Sequence, residues 1–198
     1  MRKLIYSLIY GWYRILNAPK IIMCGVNVGK NVHFRGKVFF KNARGGKGSI
    51  QIGDNVNINS SLAADSIGGD TRTILYTRNK GLIVIEEGVG LSNATLVSDT
   101  SITIGAYSNL GGGVKVYDTD FHSLDSEVRL NGDNDIKSRP VVIGKRVFVG
   151  GHSIILKGVT IGDDAVIGAG SVVAKNVPSG EIWAGNPAKF IRKVKTDK

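Results

Sequence analysis

A six-residue spacing of aliphatic side chains near the C-terminus most constrains the fold of this 198-residue chain. The aliphatic positions are Ile143, Val149, Ile155, Ile161, Ile167 and Val173. Four residues after each of them comes a small or β-branched residue, at Val147, Ser153, Val159, Ala165, Ser171 and Val177. A period of six fits neither an α-helix nor a simple hairpin, but it is typical of a hexapeptide solenoid. We therefore predict an all-β chain in which three hexapeptides form one triangular coil.

The repeat is weaker earlier in the chain, and it is broken in three places. Its earlier inward positions are Val28, Phe34, Phe40, Ile52, Ile58, Ile85, Leu91 and Val97, followed after a one-residue slip by Ile104, Leu110 and Val116. The breaks fall at 45–48, 63–80 and 118–141. The last is polar and contains Asn131-Gly132, a turn signal. We predict that it is a loop extruded from the coil, and long loops of this kind often carry function.

The two ends of the chain depart from the repeat, which we assign to one domain over residues 21–185. In residues 1–20, Leu4, Leu8, Trp12 and Ile15 have helical spacing and predict an amphipathic helix too short to span a membrane. This helix is expected either to cap the solenoid or to lie on the inner face of a membrane. In residues 186–198, Asn186-Pro187 resembles a helix N-cap followed by proline, which predicts a short basic C-terminal helix.

The net charge of +10 favours an anionic partner such as a phosphorylated cofactor, a nucleic acid or a membrane surface. No zinc-finger spacing, basic-leucine heptad or RNP-like motif is present, so we do not expect nucleic-acid binding. The single cysteine, Cys24, cannot form an intramolecular disulfide. This is consistent with a reducing compartment, and we expect a cytoplasmic location.

The stretch from Ile143 to Val194, preceded by the sequence YDTDFHSLD, closely resembles the hexapeptide-repeat acyltransferases. Within that family it is most similar to the sugar and polysaccharide O-acetyltransferases related to galactoside and maltose acetyltransferases. The resemblance implies a left-handed parallel β-helix, an exception to the right-handed crossover rule. It also implies a homotrimer that binds acetyl-CoA between subunits, acetylates a sugar or polysaccharide hydroxyl and needs no metal.

The same resemblance assigns the residues that act on the acceptor. His122 is the general base, a role that suits an imidazole because it titrates near neutral pH. Asp99 matches a carboxylate that binds acceptor hydroxyls, and Asn93 and Asp120 are expected to add acceptor contacts. Either Asp118 or Asp120 is expected to orient the imidazole.

The donor-binding residues follow from the resemblance in the same way. The expected contacts to CoA come from Phe148, Gly150, Gly151, Gly168, Ala169, Lys175, Lys189 and Arg192. The lysines and the arginine would contact phosphates, and the small residues would let pantetheine approach the backbone. Phe148 stands where galactoside-type enzymes have tryptophan, and Gly151 stands where they have serine. A backbone N–H would therefore have to stabilise the oxyanion at Gly151.

Other functions fit parts of the sequence. An N-acetyltransferase acting on an amino sugar, or an acetyltransferase acting on an antibiotic, would keep the same fold and donor. A γ-class carbonic anhydrase would need three converging histidines, but His33, His122 and His152 lack the required close pairing. A non-enzymatic scaffold would leave the His122 loop and the basic tail without a role. The sequence does not identify the acceptor.

Overall fold

The computed structural model describes residues 2–43, 45–132 and 134–195, without the side chains of residues 2–7 and 9. Helix α1 (Arg2–Met23) is followed by six coils of three short strands each. The first three coils comprise β1 (Asn27–Val28), β2 (His33–Gly36), β3 (Phe39–Asn42), β4 (Ile50–Ile52), β5 (Asn57–Ser60), β6 (Ile74–Thr77), β7 (Leu82–Ile85), β8 (Gly90–Ser92) and β9 (Thr95–Ser98). The next three comprise β10 (Ser101–Ile104), β11 (Asn109–Leu110), β12 (Lys115–Tyr117), β13 (Val141–Ile143), β14 (Phe148–Val149), β15 (Ile154–Ile155), β16 (Thr160–Ile161), β17 (Val166–Ile167) and β18 (Val172–Val173).

Each coil contributes one strand to each of three sheets, which we name A, B and C. Sheet A has the order β1-β4-β7-β10-β13-β16, sheet B begins β2-β5-β8-β11-β14-β17, and sheet C has the order β3-β6-β9-β12-β15-β18. All pairings between successive coils in these runs are parallel. The chain turns between sheets at an AB, a BC and a CA corner in every coil.

The predicted inward residues stack in register along the inside of the β-helix. In sheet A, Ile143 pairs with Ile104 of one neighbouring coil and with Ile161 of the other. The small and β-branched residues of the repeat, from Val147 to Val177, are all buried at the corners. The hexapeptide interpretation of the sequence is therefore confirmed.

The one-residue slip predicted between Val97 and Ile104 is divided between two corners in the structure. Leu96, rather than Val97, occupies the stacked position in sheet C, where it pairs with Leu75 and Val116. The step from Leu91 to Leu96 is five residues, one fewer than a hexapeptide, and the step from Leu96 to Ile104 is eight, two more than a hexapeptide. Val97 is still buried, but it is not part of the stacked column.

Insertions leave the coil only at corners, where they do not interrupt the ladders. The segment 43–49 leaves at a CA corner, 61–73 at a BC corner and 118–140 at a CA corner. The predicted break at 63–80 is too long, because β6 lies within it and buries Leu75. The last insertion is the predicted extruded loop, and it contains a short helix, α2 (Ser126–Leu130).

Helix α1 packs across the first coil, as expected of a cap. The Asn17 side chain donates to the Gly36 carbonyl at 3.0 Å and accepts from the Val38 N–H at 2.9 Å. Tyr13 and Ile21 pack against the core on the same side of the helix. In the part of the chain that the structure describes, no helix combines the length and the apolar character needed to cross a bilayer.

The predicted C-terminal helix is wrong. Residues 181–193 form a hairpin of β19 (Glu181–Gly185) and β20 (Ala188–Lys193), and β19 pairs in parallel with β17. Asn186-Pro187 makes the hairpin turn rather than a helix start. Without the hairpin, β17 would have a free backbone edge. Strand β19 pairs with it and satisfies its hydrogen bonds. Residues 196–198 of the predicted tail lie outside the described residues.

Because stability depends on the stacked columns, Ile143→Ala should lower the free energy of unfolding by about 2–5 kcal/mol. Its neighbour Val142 lies in the same strand but is 39% exposed. Val142→Ala is therefore a matched control, and it should cost less than about 1 kcal/mol. Urea unfolding followed by circular dichroism measures both, and equal losses would contradict the stacking account.

Candidate functional site

The two ends of the 118–140 loop form a short stem at the CA corner. Thr119 and Ser138 form an isolated antiparallel bridge, and their hydroxyl groups hydrogen-bond at 2.9 Å. The Arg139 N–H donates to the Asp118 carbonyl at 2.8 Å, and the Asp120 N–H donates to the Lys137 carbonyl at 3.1 Å. The loop therefore leaves and re-enters the β-helix at one defined point.

Asp118 fixes this stem to the preceding coil. Its carboxylate is fully buried and accepts from the Asp99 N–H at 2.7 Å. It also accepts from the Ser98 hydroxyl at 2.8 Å and from the Thr100 N–H and hydroxyl at 2.9 Å each. Four donors compensate the desolvation of a buried carboxylate. Asp118 therefore holds the corner together, and its oxygens are occupied by the backbone and hydroxyl groups of 98–100.

Asp120 ties the stem to the following coil. One of its carboxylate oxygens lies 2.6 Å from the Lys157 ammonium group, and both side chains are largely buried. The other oxygen is buried without a hydrogen-bond partner among the described residues. Asp118 and Asp120, the two carboxylates expected to orient His122, are therefore both engaged by other parts of the β-helix.

Phe121 presents His122 to the outside. Phe121 has a φ of 65°, a left-handed conformation that is unfavourable for a bulky residue. Its ring is held by an edge contact with Tyr117, with 5.2 Å between ring centroids. Burial raises the pKa of the Tyr117 phenol above its ordinary value, so this neighbour stays uncharged at neutral pH. The next residue, His122, is exposed.

Helix α2 follows directly and stabilises the far side of the loop. The Asp125 carboxylate caps it by accepting from the N–H groups of Glu127 at 2.8 Å and Val128 at 3.2 Å. Arg129 reaches back and donates to the Ser123 carbonyl at 2.7 Å. The chain on both sides of His122 is thus held by defined contacts.

Asp99 lies at the same CA corner as the stem. One of its oxygens accepts from the Asn79 amide at 2.9 Å, and the other lies 3.4 Å from Arg78 Nε. The second contact is an ion pair whose alignment does not make a hydrogen bond. The Arg78 guanidinium also lies 5.8 Å from the Phe121 ring centroid. The structure therefore brings Asp99 and the His122 loop together.

Asn93 lies at a BC corner, away from Asp99 and His122. Its amide nitrogen donates to the Asp65 carbonyl at 2.8 Å, and its amide oxygen is buried without a partner among the described residues. At the same corner, two coils further on, His152 Nε2 lies 2.8 Å from the Ile67 carbonyl oxygen. The 61–73 insertion is thus attached along this corner by contacts with both residues.

The predicted pantetheine positions also lie at BC corners, where stacking of the coils itself requires small residues. A Cβ atom on Gly150 would lie 2.5 Å from the Ala169 nitrogen, and one on Gly151 would lie 3.0 Å from the Gly112 carbonyl oxygen. The Gly168 carbonyl accepts hydroxyl hydrogen bonds from Ser153 and Ser171. The Ala169 side chain is exposed, so it remains available to a ligand at this corner.

The remaining donor-site candidates lie around the last two coils and the hairpin. Lys175 lines a cleft of about 490 Å³ at the CA corner together with Asp120, Arg139 and Lys157. It also lines a cleft of about 320 Å³ beneath the hairpin, together with Lys189 and Trp183. Arg192 is exposed on β20, and Phe148 is half exposed on sheet B. Lys175 therefore lies between the cleft beside the stem of the His122 loop and the cleft beneath the C-terminal hairpin.

Sequence reasoning missed three residues that shape this corner. Lys157 is an ordinary turn residue in the hexapeptide pattern, so nothing in the sequence pairs it with Asp120. Arg78 and Asn79 lie within the break predicted at 63–80, where the hexapeptide pattern could not be followed and so could not assign them to a corner. The tendency of asparagine to occupy turns was the sequence signal that could have placed Asn79 at a corner, and its φ is indeed 44°.

Comparison with known proteins identifies relatives of this chain. Residues 140–175 match the family model described as the hexapeptide repeat of succinyl-transferase. Galactoside O-acetyltransferase of Escherichia coli is 41% identical over 102 residues, which are 52% of this chain and 49% of that protein. The chain thus spans about half the length of the curated relatives it matches first.

Two further similarities extend over most of the chain. A putative lipopolysaccharide biosynthesis O-acetyl transferase of Escherichia coli is 29% identical, covering 79% of this chain and 82% of that protein. The crystal structure of a variant N-acyltransferase from Bacillus cereus, in complex with dTDP and coenzyme A, superposes with a TM-score of 0.69. It is 25% identical and covers 90% of this chain and 88% of that one. The fold is the left-handed parallel β-helix, as predicted. In its repeat, its sequence and its fold, the chain is therefore similar to the hexapeptide-repeat acyltransferases.

Proposed function

We propose that the chain is an acetyl-CoA-dependent O-acetyltransferase that modifies a hydroxyl group of a sugar or polysaccharide precursor. The observation that carries this proposal is the CA corner. There an exposed histidine stands on a stem fixed by two buried carboxylates, next to Asp99 and a cationic cleft. The similarity to two O-acetyltransferases supports the acceptor class.

The proposed reaction needs one proton-transfer group. His122 accepts the proton of the acceptor hydroxyl while the hydroxyl oxygen attacks the thioester carbonyl carbon of acetyl-CoA. The carbon–sulfur bond breaks, and the protonated imidazole returns the proton to the departing thiolate, giving the acetyl ester and CoA. The Asp99 oxygen that pairs with Arg78 and the second oxygen of Asp120 accept no hydrogen bond among the described residues, so each retains the capacity to accept one from a substrate hydroxyl group.

The donor must approach from a second copy of the chain in this proposal. Within one chain, Gly151 and Lys157 lie at different corners of the same coil, and the extended residues 153–156 between them alone span roughly 10 Å. The BC corner with the small residues is therefore far from His122, whereas the reacting atoms must come within about 3–3.5 Å. A homotrimer in which the BC corner of one copy faces the CA corner of the next would close this gap.

An N-acyltransferase is the second candidate, because the Bacillus cereus protein with this fold is one. The same general base serves an amine acceptor that binds in its protonated form. Acetyl transfer to nucleotide-linked amino sugars, measured beside transfer to neutral sugars, distinguishes the two candidates. Release of thiol with none of these acceptors, together with no binding of CoA, would overturn the enzyme proposal.

If His122 is the general base, His122→Ala should lower kcat by about 10²–10⁴-fold, the usual contribution of such a group. The rate is measured as thiol release from acetyl-CoA in the presence of acceptor. His33→Ala is the matched control, since His33 stacks on Tyr10 at the other end of the β-helix. Retention of most of the turnover by His122→Ala would contradict the assignment.

If the Lys157–Asp120 pair positions His122, Lys157→Met should lower kcat about tenfold by leaving a buried carboxylate without its cation. The double variant Lys157→Met/Asp120→Asn should be no worse than the single one, because it removes the unpaired charge. Lys137→Met is the control, since Lys137 pairs with Asp135 at 2.5 Å in an exposed setting. If the loss of activation free energy in the double variant equalled the sum of the losses in Lys157→Met and in Asp120→Asn, the pair would not act as a unit.

If Lys175 contacts a CoA phosphate, Lys175→Gln should raise the Kd of CoA about five- to tenfold. High salt should reduce the difference in Kd between the variant and the wild type, because salt screens an exposed ion pair. If the contact is to the 3′-phosphate, the difference should also be smaller with 3′-dephospho-CoA. Isothermal titration calorimetry measures both ligands. Lys145→Gln is the control, because Lys145 is an exposed cation at an AB corner; equal effects of the two variants would contradict a specific role.

A further inference from the structure

Helix α1 has its apolar stripe on the outside. Its exposed side includes Leu8, Trp12, Ile15, Ile22 and Met23, of which Leu8 is 67% and Ile15 is 65% exposed. At 100° per residue, these side chains fall within an arc of about 100° along the helix. Asn17, the residue that bonds the first coil, lies on the opposite side. Packing against the β-helix therefore does not account for the apolar stripe.

The apolar surface continues beyond the helix. Leu8 and Trp12 line a cleft of about 600 Å³ with Ala63 and Ala64 of the 61–73 insertion. A contiguous exposed apolar surface of this kind marks an interaction site. The stripe and this cleft together form what we call the N-terminal apolar face.

The net charge of the protein is concentrated at the same end. Ten of the 26 Lys and Arg residues, and none of the 16 Asp and Glu residues, precede Asp54. The remaining 16 basic and 16 acidic residues balance, so the first 53 residues account for the whole net charge of +10. Arg14 and Lys20 flank the apolar stripe on its two sides, and both are exposed. The first coil adds the exposed Lys30, Lys37, Lys41 and Lys47.

We propose that this end of the molecule docks on an anionic lipid bilayer, with the N-terminal apolar face inserted at the headgroup boundary. An interfacial helix combines an apolar face with flanking cations, and its affinity rises with buried apolar area and with anionic lipid. A second copy of the chain is a poor occupant of this face. Apposing two such ends would bring together two copies of residues 1–53, each with ten basic residues and no acidic residue.

Vesicle co-sedimentation of the full chain tests this inference. The protein should sediment with vesicles of phosphatidylcholine and phosphatidylglycerol, and the bound fraction should fall in pure phosphatidylcholine and at high salt. Leu8→Gln/Trp12→Gln/Ile15→Gln should lower the partition coefficient about tenfold or more. Arg14→Gln/Lys20→Gln should lower it severalfold on the anionic vesicles alone.

The control is Leu124→Gln/Leu130→Gln, which removes two equally exposed apolar side chains from the extruded loop and should leave vesicle binding unchanged. Failure of the wild-type chain to bind anionic vesicles, or equal binding by the stripe variant, would overturn the inference. So would a stripe variant whose sedimentation velocity shows a smaller oligomer, because the face would then be a contact between copies. Acetyl transfer to a soluble acceptor should be unchanged in the stripe variant, so the result is independent of the proposed function.

Discussion

The in-register stacking of inward aliphatic side chains is the constraint on which the rest of this structure depends. Columns such as Ile104–Ile143–Ile161 bury side chains only if successive coils keep the same register. That register leaves no space for a side chain at Gly150, where the next coil approaches within 2.5 Å of a Cβ position. It also forces every insertion out at a corner. The places where this protein can present unusual chemistry are therefore set by its packing.

The CA corner shows how such an insertion is made rigid. The loop that carries His122 begins with two largely buried carboxylates, and each is satisfied by a different coil. Asp118 accepts from the Ser98–Thr100 turn, and Asp120 binds Lys157. Removing either partner would leave a buried charge, so the loop geometry and the β-helix are coupled. This coupling explains how a residue on a long loop can hold a fixed position.

Much of the fold could be predicted from the sequence, because the aliphatic residue of each hexapeptide marks the side chain that points into the β-helix. The stacked residues from Ile143 to Val173 and the extruded loop followed directly from the period. The C-terminal hairpin did not, because Asn186-Pro187 has the same local signature at a helix start and at a turn, and the free edge of β17 decides between them. For the site, the sequence located the His122 loop. It could not locate Lys157 beside Asp120, or separate Asn93 from Asp99, because these depend on which corner each residue occupies.

The central claim is that His122 of one copy acts on a donor held at the BC corner of another. Co-expression of His122→Ala with Ala169→Trp, which would block the exposed BC corner, tests it most directly. Neither variant alone should release thiol from acetyl-CoA with acceptor present. Random mixing in a trimer should restore about a quarter of the wild-type sites, since each site needs one intact residue from each copy. No recovery of activity in purified mixed trimers would show that the two corners do not form one site and would contradict the account.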